Sequence, residues 1–373
     1  MADIKTLLRE LSVVYGIIRF FKQSTGDDYR DFFVFLDPYA SSSVSYQLTK
    51  RNVRDVTKHK EIIGNGISLA NAIIKAFNIV KLPQMRWVGE ETQSGTPHDL
   101  FIDELPFSLK EESYILENMG LYRLVNILAD KDYSRGELHV FKEFAPEEYE
   151  RWFKATLEVM FQSLPLGKTV TVSDNDRNYS SSVTCLDNTQ IELVYTEGGL
   201  ENKAVLKRGV SLLEFEKTTN SLLREKAFAK YINKHLSDNE DYLETKRVCS
   251  DTAGKNLLAF VKKFLTPANL ARMFRLSEVT YYYAKVVSKK AQIYQVPTIS
   301  EFRNNFTVKD VSYSVPRSQL NLYTVIRSSS GQEISFRNEI RFSHGQFNGT
   351  PEAKMYLERG SVLETIYKKV YSD

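Results

Sequence analysis

The segment Thr96-Pro97-His98-Asp99-Leu100-Phe101-Ile102, followed after a short turn by Pro106-Phe107-Ser108-Leu109-Lys110-Glu111-Glu112-Ser113, constrains this chain more than any other. Its alternation predicts a hairpin of two short strands. In the second strand Ser108, Lys110 and Glu112 fall on one face, and Phe107 and Leu109 fall on the other. A half-buried strand rarely carries three polar groups in register unless that face is wet or binds something. Asp99 stands near the start of the first strand, so a carboxylate, a lysine and a glutamate gather on one sheet surface. Such a set suits a divalent cation and an activated water.

The surroundings predict a small α/β core. Residues 4–22 read as a helix with Leu7, Leu8, Leu11, Val14, Ile17 and Ile18 on one stripe. Phe32-Phe33-Val34-Phe35-Leu36 reads as a strand. Residues 61–77 read as a second helix through Ile63, Ile67, Ala70, Ile74 and Phe77, with Gly64 and Gly66 weakening its first turn. Met85–Glu91 reads as a strand, and Ser113 caps a helix running to about Leu128. Residues 61–128 therefore read helix, strand, strand, strand, helix.

Beyond Asp130 a helix is expected at 145–163, which opens on Pro and acidic residues. Two strands are expected across 169–195, helices at 208–236 and 254–275, and a β pattern from Ile293 to Phe347. No internal repeat or low-complexity linker marks a boundary. A length of 373 residues suits two moderate domains or one large one. The division falls best near 195–205: residues 1–200 hold the core, and 201–373 form a helical then β-rich region for target recognition or dimerisation.

Composition excludes several classes. Cys185 and Cys249 cannot build a disulfide scaffold and neither lies in a CxxC, and the five histidines (His59, His98, His139, His235, His344) are too scattered for a zinc site. The N-terminal 23 residues are charged throughout, unlike a signal peptide, and no apolar run reaches the length of a membrane span. A soluble, cytoplasmic protein is expected. The net charge of +3 is too small to demand a polyanionic partner by itself. Tyrosines beside cations, as in Tyr281-Tyr282-Tyr283-Ala284-Lys285, nevertheless fit a nucleic-acid surface, where rings stack and ammonium groups meet phosphate; core packing is the competing reading.

With Pro97-His98-Asp99 on one strand and Ser108-Leu109-Lys110 on the next, the segment 61–128 resembles the PD-(D/E)xK nuclease superfamily, which includes many type II restriction endonucleases. The resemblance implies an α/β (α+β) fold: a restriction-endonuclease-like core of a mixed sheet flanked by helices, with an additional α+β region. It implies hydrolysis of DNA phosphodiesters by a water activated on Mg2+. Asp99 would be the main metal ligand, the Leu109 carbonyl a further ligand, and Lys110 would orient the water and offset transition-state charge. Phosphoryl transfer needs such positioning and neutralisation more than covalent chemistry. Ser108 departs from the pattern, because the family usually carries Asp or Glu there. A recruited carboxylate is then expected, with Glu112 first, Glu91 second, and Glu117 and Glu61 as the other choices. Glu61 falls opposite the apolar stripe of its helix, which favours a merely solvated side chain.

For target reading, Arg337, Glu339 and Arg341 share one strand face. On a DNA-binding chain they could meet guanine and cytosine edges, with Gln346 or Asn348 meeting adenine. A solvated ladder of charges is the alternative. Lys285, Lys289 and Lys290 would touch phosphates. Lys255 follows a glycine, but GxxxxGK[ST] fails there. The expected function is thus a Mg2+-dependent, sequence-specific double-stranded DNA endonuclease of type II. A palindromic target would imply a homodimer, and a DNA methyltransferase is a possible companion. A structure-directed repair or recombination nuclease and a non-catalytic DNA-binding protein are the alternatives.

Overall fold

A computed structural model of the protein describes residues 4–26, 28–53, 55–88, 98–111, 115–120, 139–173, 179–274, 276–287, 290–342 and 344–373. The N-terminal stripe does form a helix, α1 (Ile4–Phe21), with Leu7, Leu8, Leu11, Val14, Ile17 and Ile18 all buried. Next come α2 (Phe32–Ala40) and α3 (Val44–Asn52), then α4 (Lys60–Ala76). The expected strand at 32–36 is therefore a helix. Phe32, Leu36 and Ala40 are buried at four-residue spacing while Val34 is 67% exposed, a helical period that a run of aromatic residues disguises.

Helices α1 and α4 meet where their side chains are smallest. A Cβ on Gly16 would lie 2.7 Å from the Ala70 Cβ and 2.9 Å from the Ile67 Cα. A Cβ on Gly66 would overlap the Ser12 Cβ and lie 2.8 Å from the Ser12 carbonyl carbon. Gly66 costs helix propensity, and the close crossing is what it permits.

Strands β1 (Met85–Trp87), β2 (Leu100–Ile102), β3 (Leu105–Glu111) and β4 (Ile115–Gly120) precede a helix at Pro146–Ser163. A meander follows: β5 (Thr169–Thr171), β6 (Tyr179–Asp187), β7 (Gln190–Glu197) and β8 (Leu200–Lys207). After a run of helices come β9 (Tyr281–Val287), β10 (Lys290–Val296), β11 (Phe306–Ser314), β12 (Asn321–Ser328), β13 (Glu333–Arg341), β14 (Glu352–Leu357) and β15 (Lys368–Ser372). They form a mixed α+β architecture of three sheets. Sheet A has the order β1-β2-β3-β9-β10-β15, sheet B the order β11-β12-β13-β14-β4, and sheet C is the β5–β8 meander. Every pairing in sheet A is antiparallel except β3 with β9, which is parallel.

Several boundaries differ from the sequence reading. The helix expected from Ser113 is strand at Ile115–Gly120, which pairs with β14 along the edge of sheet B; residues 112–114 and 121–138 lie outside the described residues. The 169–195 region contributes three strands, not two. The 208–236 helix is divided into Leu212–Thr218, a π-helical turn at Leu223–Phe228 and Ala229–His235. The expected 254–275 helix is split between the end of a longer one, Glu240–Phe264, whose start is set by the Asn239 side chain accepting from the Tyr242 N–H at 3.0 Å, and a short one, Pro267–Met273. Strands from both sides of residue 200 share sheet A, so the hairpin in 61–128 draws its remaining strands from 281–296 and 368–372.

Sheet A separates two apolar cores. Trp87, Leu100, Ile102, Phe107, Leu109, Ala284, Ala291 and Ile293 face α1, α2 and α4. Tyr281, Tyr283, Tyr294 and Val296 face the core shared with sheets B and C and the helix Pro146–Ser163. Phe107 and Leu109 are 0% and 2% exposed, and burying each contributes about 1.5–3 kcal/mol. Both cysteines are free and buried. Among the described residues no helix is long and apolar enough to cross a membrane.

The helix crossing yields a paired prediction. Gly66→Ala must push α1 away, and overpacking should destabilise the fold by about 1–3 kcal/mol. Gly64→Ala meets only the Tyr29 hydroxyl at 3.9 Å and should gain up to about 1 kcal/mol of helix propensity. Urea titrations of the two variants check this; equal stability of both would contradict the close crossing.

Candidate active site

Asp99 is fixed by its backbone before its side chain acts. Its N–H donates to the Phe107 carbonyl at 2.8 Å, and its carbonyl accepts the Val88 N–H at 3.1 Å. The residue is thereby held between the β1 and β3 chains. Its carboxylate turns back over β3, where Oδ2 accepts the Leu109 N–H at 2.6 Å, the Ser108 hydroxyl at 3.3 Å and the Lys110 ammonium at 3.4 Å. Asp99 is 6% exposed and Ser108 5%, whereas Lys110 is half-buried. The strand thus presents one charge-assisted backbone bond, one hydroxyl and one cation to a single buried carboxylate oxygen.

The alternation of β3 explains this set. Phe107 and Leu109 point into the α1/α4 core, which leaves Ser108 and Lys110 on the opposite face. The N–H and carbonyl of one strand residue project from the same strand edge. The Leu109 carbonyl therefore shares the edge on which its N–H meets Asp99, as the metal-ligand expectation requires.

A second buried carboxylate, none of the four expected, interacts electrostatically with the first. Glu10 of α1 is 6% exposed, and its Oε2 accepts the Trp87 Nε1–H at 2.9 Å. Burial, reinforced by the negative charge of Asp99, pushes its carboxyl up to about 8; the Trp87 bond and the cations Lys110 and Arg9 pull the other way. Glu10 therefore shares one electrostatic neighbourhood with Asp99 and Lys110. The signal was present in the sequence, since Glu10 lies on the Leu7–Leu11–Val14 stripe, where an acid is costly unless it is used.

The other candidates fall elsewhere. Glu61 is exposed in the first turn of α4. Glu117 lies on β4 in sheet B and not on the strands of the hairpin. Glu112 and Glu91 lie outside the described residues. Among the described residues no three Asp, Glu, His or Cys side chains gather as a metal-ligand set. His98 packs edge-on against Phe101 and Tyr281, and burial holds its imidazole below the usual range despite Asp99, which favours a neutral ring.

Most of the residues expected to read bases are engaged within the protein. Arg337 Nε donates to Glu358 at 2.7 Å, its Nη1 to Glu339 at 3.3 Å and to Asn321 at 3.4 Å, and the guanidinium lies over the Tyr356 ring. That is the ladder of charges, with the fork already occupied. Arg341 is half-buried on the same face. The Gln346 amide donates to Asn233 at 3.3 Å, and Asn348 is buried and accepts from Arg224. Lys285, by contrast, sits directly beside Lys110 across the β3–β9 pairing. Lys289 lies outside the described residues, and Lys290 begins β10.

Comparison of the chain with family models, with curated proteins and with solved structures returns no match.

Glu10 generates a pH prediction. Its carboxyl is raised in the fold, so its contribution to stability is complete below the ordinary 4.5 and is lost as pH rises through about 8. The metal-free protein should therefore melt at progressively lower temperature across that interval. Glu10→Gln keeps an acceptor for Trp87 and removes the charge, so its melting temperature should vary much less. Thermal melts in EDTA at constant ionic strength measure both; parallel curves would show that Glu10 does not titrate there.

Proposed function

We propose that this protein is a divalent-cation-dependent endonuclease acting on double-stranded DNA, of the restriction type. The observation that carries the reading is the buried Asp99 carboxylate gripped by Ser108, Leu109 and Lys110 of β3, with the buried Glu10 of α1 in electrostatic reach. Helix α1, the residue before β2 and the end of β3 each supply one member. The chemistry of the donor set fits Mg2+, which is held by one or two carboxylates and keeps water and substrate phosphate as its remaining ligands. Asp99, Glu10 and the Leu109 carbonyl would hold it, and Ser108, where the family usually has an acid, serves as a hydroxyl donor to Asp99. When bound, such an ion neutralises phosphate charge and makes water a nucleophile near neutral pH.

The chain's own groups account for the rest. The Leu109 N–H and Ser108 hydroxyl grip one oxygen of Asp99 and hold its rotamer, and among the described residues no hydrogen bond reaches its second oxygen, so that oxygen could meet the metal. Lys110, anchored on Asp99 yet half-exposed, can donate to a phosphate oxygen and stabilise charge as it builds in the transition state. Glu10 is poised to lose its proton when positive charge arrives, since a cation beside it reverses the effect of burial. Sheets B and C and their helices provide the area for contacts along a duplex. A two-fold homodimer cutting both strands, with a methyltransferase as companion, belongs to this reading.

Digestion of plasmid DNA tests it. Discrete fragments in Mg2+ and intact DNA in EDTA are expected. Asp99→Ala, Lys110→Ala and Glu10→Gln should each lower cleavage by at least about 100-fold. DNA binding in Ca2+ should persist in all three. Wild-type turnover in Asp99→Ala or Lys110→Ala would remove the assignment, and full activity in Glu10→Gln would remove Glu10 from the metal site.

A further inference from the structure

The face of sheet A that carries Ser108 and Lys110 is graded along its strands. Register places Phe101, Pro106, Tyr281 and Val296 in one row, and Ser108, Tyr283, Tyr294 and Lys369 in the next. The outermost row is Lys110, Lys285, Gln292 and Ser372, on the four adjacent strands β3, β9, β10 and β15. Every side chain in that row can donate a hydrogen bond, and none is acidic.

Lys110 and Lys285 stand side by side at one strand spacing, about 4.8 Å between backbones. Like charges in register on neighbouring strands are destabilising unless something anionic lies over them. Lys110 leans on Asp99, whereas Lys285 has no carboxylate within hydrogen-bonding distance among the described residues. Its ammonium lies 5.7 Å from the centre of the Tyr294 ring. The nearby acid Glu364 is taken up by Lys369 at 2.9 Å and by the Tyr294 hydroxyl at 3.2 Å. Burial holds the Lys285 pKa below the usual lysine range; Glu364 opposes this and Lys369 adds to it. The Gln292 Oε1 accepts from the Tyr294 hydroxyl at 3.0 Å, so its amide nitrogen is the donor left to the row.

We infer that Lys285 and Gln292 form a second phosphate seat beside Lys110, holding the nucleic-acid backbone phosphate next to the one at Asp99. The inference builds on the reading of Asp99 and Lys110 as a phosphodiester site and adds the direction of the strand, which crosses sheet A from β3 toward β15. The seat holds charge by lysine and hydrogen-bond donation alone, so it works without metal and without regard to base identity.

Binding of a fluorescein-labelled DNA duplex by the full chain, in EDTA and at several NaCl concentrations, tests the seat separately from cleavage. Lys285→Gln should weaken binding about tenfold at low salt and lower the salt slope by about one unit, and Lys285→Arg should restore both. Unchanged affinity and slope in folded Lys285→Gln would overturn the inference. If that variant does not fold, the isosteric Gln292→Glu decides: weakening of about tenfold supports the seat, and wild-type binding overturns it. Loss of cleavage in Asp99→Ala alongside unaltered binding in Lys285→Gln would keep the nuclease and dismiss the seat. Lys285-dependent binding without any cleavage would keep the seat and dismiss the nuclease.

Discussion

The parallel pairing of β3 with β9 is the constraint on which the rest of this structure depends. It ties Phe107–Glu111 to Tyr282–Val286, segments with five of the fifteen described strands between them. Parallel neighbours cannot be joined by a tight turn, and the connection here is long enough to contain sheet C and a set of helices. With β9 in place, a three-stranded meander becomes a six-stranded sheet with two buried faces, and each face nucleates its own core.

The same pairing sets the chemistry. Leu109 is buried by packing on one side of β3, so Ser108 and Lys110 are turned to the other side beside Tyr283 and Lys285. Asp99 is aimed at β3 because its own N–H and carbonyl are already committed to ladder bonds. Glu10 arrives from α1, which is drawn onto the sheet by its apolar stripe and kept close to α4 by Gly16 and Gly66. Apolar packing therefore supplies the force, and the placement of three ionisable groups is its by-product. The α1 stripe spends part of its burial on an acid that opposes it, the pattern expected where function is placed against stability.

The hairpin, the helices at the N-terminus and at Pro146–Ser163, and the β character of the last third were legible from residue spacing. Two segments were not. Phe32–Phe35 has β-forming residues in a helical period, and tertiary burial of Phe32 and Leu36 decides in favour of the helix. Residues 115–120 form a strand because the edge of sheet B takes them as its fifth member, a partner invisible to any local window. The acids weighed in sequence all lay within residues 61–117, whereas the buried Glu10, the acid that interacts electrostatically with Asp99, lies on α1, three helices earlier in the chain; an acid on the α1 stripe was its mark.

By itself the sequence determined the mixed α+β class, the hairpin with its buried and polar faces, and the pairing of Asp99 with Lys110, because alternation and periodicity are local consequences of backbone geometry. Tertiary structure alone decided which acid joins them, which lysine neighbours Lys110 and that Arg337 is spent on Glu339 and Glu358. These depend on contacts between residues far apart in the chain, where the order of strands in a sheet is fixed by the packing of whole faces and not by any residue's own preference.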